Sequence, residues 1–280
     1  MNKTIFIIAI VFAALIGGGY LLINKNPQIK SLAEKYGVID APDLNPLPAS
    51  YNAVFCIFDP SGSGKSTYSV PIISVEFIQQ LISSIADKGY GELWLTYVDR
   101  SAMNNKVLHF IIPEKMKSFE PPVRKTGELK GEFDRRLAVF RADSIKINKL
   151  INEEMNNYSK SKALFLKECN EMIIKGYTPK KSYEDYSDVV GSLNAASRSL
   201  RTVVNDTLHF SSILLISDGV QDIPSDDLKQ QLKEMPKDVI LVLVNHSGSA
   251  NSIIAEKAIE VDNLDRGIEK TMRVYNHLKH

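Results

Sequence analysis

The chain has 280 residues, 44% hydrophobic and 24% charged, a globular composition that excludes disordered, collagen-like and low-complexity classes. Lys and Arg number 34 against 33 Asp and Glu. This balance gives no whole-protein electrostatic grip on nucleic acid, and no nucleic-acid partner is expected. The two cysteines, Cys56 and Cys169, are far apart and fit neither a disulfide framework nor a zinc site.

The first feature in chain order is Thr4 to Ile23, an uncharged run ending before Asn24 and Lys25. Its length, roughly twenty residues, suits a bilayer-spanning helix. Gly17, Gly18 and Gly19 weaken it as a soluble helix but are tolerated in a membrane. A cleaved signal peptide is the competing reading, with Lys3 before the apolar run Ile5–Ile16; no convincing A-x-A cleavage site follows. The expectation is an N-terminal transmembrane anchor over 1–24, with single-pass membrane localisation. Lys25, Lys30 and Lys35 weigh toward one orientation. The very short N-terminal tail weighs toward the other, and the folded domain is assigned to the extracytoplasmic side.

Residues 25–50 carry Pro27, Pro42, Pro46 and Pro48 among polar residues and read as a linker. The folded domain is expected over 51–280. Asn52–Phe58 is a nearly continuous apolar run, typical of a parallel strand covered on both faces. It ends in the loop DPSGSGKST. A helix is expected next, with Pro71 in its first turn and Val75, Ile78, Leu81, Ile82 and Ile85 on one face. Gly89 and Gly91 are expected to end it. Glu92–Val98 and Val107–Ile112 read as strands whose short connection implies antiparallel pairing.

A helical insertion is expected over about 114–188. Within Glu128–Lys175, Phe133, Leu137, Phe140, Ile147, Ile151, Tyr158, Phe165 and Met172 lie near a 3–4 spacing, which predicts a long helix or a helical hairpin. Ser192–Val204 reads as an amphipathic helix, Ser211–Ile216 as a buried strand, and Asp226–Met235 as a helix. Asp238–Val244 and Ala258–Val261 read as strands, and Asp265–Leu278 as the closing helix. Buried strands alternating with helices predict a three-layer α/β domain with a mostly parallel sheet, Rossmann-like in plan.

In such sheets ligands sit at the carboxyl ends of the strands. The loop after the first strand can be read two ways. As a phosphate loop, Gly64, Lys65 and Ser66 fit the end of G-x-x-x-x-G-K-[ST], but Asp59 stands where the first glycine belongs. As a metal site, Asp59, Ser61 and Ser63 form D-x-S-x-S, which can point three hard oxygen donors into one space. Gly191-Ser192 and Asp218 lie on elements that could converge on the same rim.

On FDPSGS (Phe58–Ser63), VGSLNAA (Val190–Ala196) and LLISDG (Leu214–Gly219), the chain resembles the von Willebrand factor type A (vWA) domain family. The resemblance covers roughly Tyr51 to the C-terminus, less the insertion. It implies a metal-ion-dependent adhesion site (MIDAS) holding Mg²⁺, or another divalent cation such as Mn²⁺. Its implied ligands are Asp59, Ser61, Ser63, Ser192 and Asp218, with Ser192 matching the family's threonine. The long insertion, Ser192 in place of threonine, and Lys65 beside the loop depart from the family pattern. No nucleophile–base pair is visible, so an enzyme is not expected. The resemblance implies a membrane-anchored module that binds a partner protein through an acidic side chain completing the metal's coordination. A place in a larger assembly fits the same reading. The alternative is a P-loop NTPase using Lys65 and Ser66.

Overall fold

The computed structural model describes residues 50–60, 70–100, 105–114, 121–178, 187–201, 209–219, 235–236, 238–245, 254 and 256–272. The run Thr4–Ile23, most of the 25–50 linker, Ser61, Ser63, Lys65, Ser66 and nearly all of the expected 226–235 helix lie outside them. Among the described residues, no helix is long and apolar enough to cross a membrane. The chain divides into two compact units, one of Leu47–Ile112 with Lys162–His280, the other of Met1–Pro46 with Pro113–Ser161.

The first unit is built on one six-stranded sheet. Its strands are β1 (Ser50–Phe58), β2 (Gly89–Tyr97), β3 (Leu108–Ile112), β4 (His209–Ile216), β5 (Val239–Val244) and β6 (Ile259–Val261). Its helices are α1 (Val75–Lys88), the C-terminal part of α2 (Lys130–Tyr177), α3 (Val189–Leu200) and α4 (Leu264–Thr271). The strand order is β3-β2-β1-β4-β5-β6. All pairs are parallel except β2 with β3, as the short connection between those two predicts. The mostly parallel α/β plan is therefore present.

Residues Ala53 through Phe58 are each 0% exposed, which is why this central strand reads as an unbroken apolar run. Ala53, Phe55 and Ile57 face a core shared with Val189, Leu193, Ala196 and Leu200 of α3. Residues alternating with them turn to the opposite face. There α1 buries Phe77, Ile78, Leu81, Ile82 and Ile85. On α4, Gly267 lies so close to the sheet that an added Cβ would stand 2.8 Å from Val244 and 3.2 Å from Leu214.

Three boundaries differ from the sequence expectation. Helix α1 begins at Val75, four residues after Pro71, because Ser74 is its N-cap and accepts the Phe77 N–H. Phe77, not Val75, joins the buried face. Strand β2 begins at Gly89 itself. The two glycines do more than end α1: a Cβ on Gly89 would stand 2.2 Å from the Ser50 carbonyl oxygen, and one on Gly91 1.9 Å from that of Asn52. They permit β2 to run close beside β1. Helix α3 begins at Val189, not Ser192, because the Asp188 side chain caps it through the Gly191 N–H.

The expected long helix or hairpin is one helix, α2, of 48 residues. Phe140, Ile147 and Ile151 are buried in the second unit. The polar position Ser144 donates its hydroxyl to the Phe140 carbonyl at 2.6 Å, satisfying itself within the helix. From Lys162 onward α2 belongs to the sheet unit. There Phe165 stacks on Phe110 of β3 at 4.9 Å between ring centroids, and Cys169, Met172 and Ile173 are buried. Cys56 and Trp94 are core residues, as their strand positions suggest.

Candidate functional site

The chain moves from β1 to β2 on one side of the sheet and reaches β4 on the other. The carboxyl ends of β1 and β4 thus flank the topological switch point, where open α/β sheets hold their ligands. Asp59 leaves β1 at this place. Its N–H donates to the Ile216 carbonyl at 2.9 Å and extends the pairing by one residue. Since Phe58 pairs with Ile216, Ser217 and Asp218 emerge on the same rim. Both aspartates are nearly enclosed, Asp59 at 4% exposure and Asp218 at 6%.

A buried carboxylate requires donors. The Ser217 hydroxyl donates to Asp59 Oδ2 at 2.8 Å. The Ser217 Oγ in turn accepts the Gly219 N–H at 2.9 Å, and Gly219 takes the left-handed φ of 73° that brings its amide back onto the serine. Ser187 is fully buried. Its Oγ lies 3.4 Å from each carboxylate oxygen of Asp59, straddling the group at a distance long for an O–H···O bond.

The Ser187 position is fixed by the start of α3. Asp188 donates its N–H to the Asp99 carbonyl at 3.0 Å, and its Oδ1 accepts the Gly191 N–H at 2.8 Å. Ser192, expected to supply the hydroxyl from this segment, is completely buried. Its Oγ donates to the Asp188 carbonyl at 3.1 Å, so that hydroxyl is engaged within its own helix. Of the five expected ligands, Asp59 and Asp218 come to one rim, Ser192 bonds its helix backbone, and Ser61 and Ser63 lie outside the described residues. Ser187 and Ser217 are hydroxyls the sequence reading did not single out. The signal for Ser187 was the Ser-Asp pair before a helical pattern, an N-terminus signature. That for Ser217 was its place between a buried strand and Asp-Gly.

A third neighbour is Tyr177, the last residue of α2. Its ring lies against Phe58 at 5.6 Å between centroids. Burial, with a further contribution from the negative charge of Asp59, pushes its phenol up to about 12. It therefore stays protonated and neutral near neutral pH.

The described polar groups at this rim are carboxylate and hydroxyl oxygens, the chemistry of a site for a hard cation such as Mg²⁺ or Mn²⁺. Among the described residues, no three His, Cys, Asp or Glu side chains are grouped as metal ligands. The set expected from the sequence contains only two carboxylates and draws its remaining donors from serines. No protein-family model matches the chain, and no curated protein matches it.

Proposed function

We propose that the chain is a membrane-anchored vWA-like module that binds a partner protein through a divalent cation, Mg²⁺ or Mn²⁺, at a MIDAS-type site. One observation carries the reading. Asp59 ends the central strand at the switch point, with the Ser187 and Ser217 hydroxyls on its carboxylate and Asp218 on the adjacent strand end. The N-terminal anchor rests on the uncharged run Thr4–Ile23.

In this reading Asp59 and Asp218 supply the charge that attracts the cation. Ser61 and Ser63 add hydroxyls from the same loop. The segment that opens α3 contributes Ser187, whose hydroxyl lies on the Asp59 carboxylate. A cation held by these residues would supply the contact for a carboxylate of the partner protein. The chain's own part is to hold hard donors in an enclosed rim where a charge-assisted contact is stronger than in water.

The test is Mn²⁺ or Mg²⁺ binding to the full-length protein in detergent, followed by melting temperature and calorimetry. A ligand that binds only the folded state adds about 2.7 kcal/mol at a hundredfold excess over its dissociation constant. Asp59→Ala should remove the shift. Ser187→Ala should weaken it, and Ser192→Ala should leave it unchanged. ATP binding by the wild type that is lost in Lys65→Ala would replace this reading with the P-loop NTPase.

A further inference from the structure

The segment FDPSGSGKST leaves β1 at Phe58 and rejoins the described fold at Val70–Ile73. Both ends meet the same turn of α2. At the entry, a Cβ on Gly176 would stand 2.9 Å from Phe58 Cε2 and 3.4 Å from Pro60 Cγ, so the helix backbone lies directly against the residues flanking Asp59. The Tyr177 ring packs on Phe58 beside it. At the exit, the Ile73 N–H donates to the Tyr177 hydroxyl at 3.2 Å. Ile73 is 2% exposed, so this amide has little access to solvent as an alternative acceptor.

We propose that the last turn of α2 is a clasp that fixes the end of β1 carrying Asp59, with Tyr177 as its positioning residue; the functional half of this proposal rests on the cation-site reading above. Tyr177 touches no ligand in it. It acts through its ring, which rests on Phe58, the residue before Asp59, while its hydroxyl is anchored by the Ile73 amide. A helix belonging largely to an insertion thereby contributes to a site formed by the strands of the sheet. Glycine at 176 is favoured by the approach to the Phe58 ring, and the hydroxyl at 177 by the Ile73 amide.

Three variants of the full-length protein test this. Tyr177→Phe keeps the ring and removes the acceptor. Gly176→Ala favours the helix intrinsically but pushes on the Phe58 ring. Phe165→Leu loosens the same helix against β3, away from the loop. The readouts are amide exchange at Ile73 and Mn²⁺ affinity. In Tyr177→Phe, Ile73 exchange should accelerate by roughly 2- to 10-fold, the range for one net hydrogen bond, and Mn²⁺ binding should weaken. Gly176→Ala should also weaken Mn²⁺ binding, whereas Phe165→Leu should spare it. Unchanged Ile73 exchange in Tyr177→Phe overturns the clasp. Faster exchange with unchanged Mn²⁺ affinity, or equal weakening in Phe165→Leu, overturns the positioning role. Absence of Mn²⁺ binding in the wild type defeats the cation-site reading and with it the positioning role, while Ile73 exchange still decides whether the clasp exists.

Discussion

The carboxylate of Asp188 occupies the space that a side chain on Gly191 would need. Its Oδ2 lies 2.2 Å from where a Cβ would stand, while Oδ1 accepts the Gly191 N–H at 2.8 Å. Gly191 is therefore the condition for the cap that starts α3, and the cap places Ser187 beside Asp59.

Gly191→Ala should destabilise the domain. Alanine gains up to about 1 kcal/mol in helix propensity, but displacing the cap costs about 0.5–2 kcal/mol, and the steric conflict adds to that cost. The check is a double-mutant comparison of melting temperatures. With Asp188 intact, Gly191→Ala should lower the melting temperature; in an Asp188→Ala background the obstruction is gone, and the same change should raise it.

Gly91→Ala should be far more damaging. The added Cβ would meet the Asn52 carbonyl oxygen at 1.9 Å, backbone against side chain with no rotamer to relieve it. A loss of about 3 kcal/mol or more is expected, in the tail that point mutations reach only through a named defect. Gly131→Ala in α2 is the control, since a Cβ there meets nothing within 4 Å; a gain of up to about 1 kcal/mol is expected. Chemical denaturation of the two variants measures both.

The sheet was legible because parallel strands buried on both faces write themselves as apolar runs, as NAVFCIF, SSILLI and DVILVLV do. Helix α2 was legible in its 3–4 spacing. What was not legible depended on contacts distant in sequence. Gly89 and Gly91 look like helix terminators until β2 is set beside β1. Ser192 looks like the outward hydroxyl of its motif until Asp188 caps the helix three residues earlier than the apolar phase implies. At the candidate site the aspartates could be named from position alone. The choice between Ser187 and Ser192 required knowing where the first turn of α3 begins.

The first half of β1 carries a titratable cluster with a defined pH dependence. Tyr51 donates its hydroxyl to Glu92 Oε1 at 2.6 Å, and His109 Nε2 lies 2.5 Å from Glu92 Oε2. The hydrogen bond with His109, and secondarily that from Tyr51, hold the Glu92 carboxyl below its ordinary value of 4.5, against the opposing effect of burial. A carboxyl lowered in the folded state contributes stability above its unfolded pKa and loses it as pH falls through the folded one. Melting temperatures of wild type and Glu92→Gln should therefore differ by a constant amount just above that ordinary value and converge in acid below it. A gap that widens as pH falls would overturn the assignment.

The extent of the removable insertion is also testable. Replacing 128–175 with a short linker would take Phe165, Cys169, Met172 and Ile173 out of the sheet unit, all of them buried, and that protein should fail to fold. Replacing about 122–160 keeps these residues, and surface insertions carry modest closure costs. The shorter replacement should leave a cooperative thermal transition.

Asp59 enters the folded protein with hydrogen-bond donors in place, the Ser217 hydroxyl at 2.8 Å and that of Ser187 straddling its oxygens. A buried carboxylate lacking such donors would make folding wait for whichever ion neutralised it. Here the donors belong to the chain itself, so the sheet can close around Asp59 with no ion present. The protein should accordingly pass through purification in a chelating buffer with its core intact.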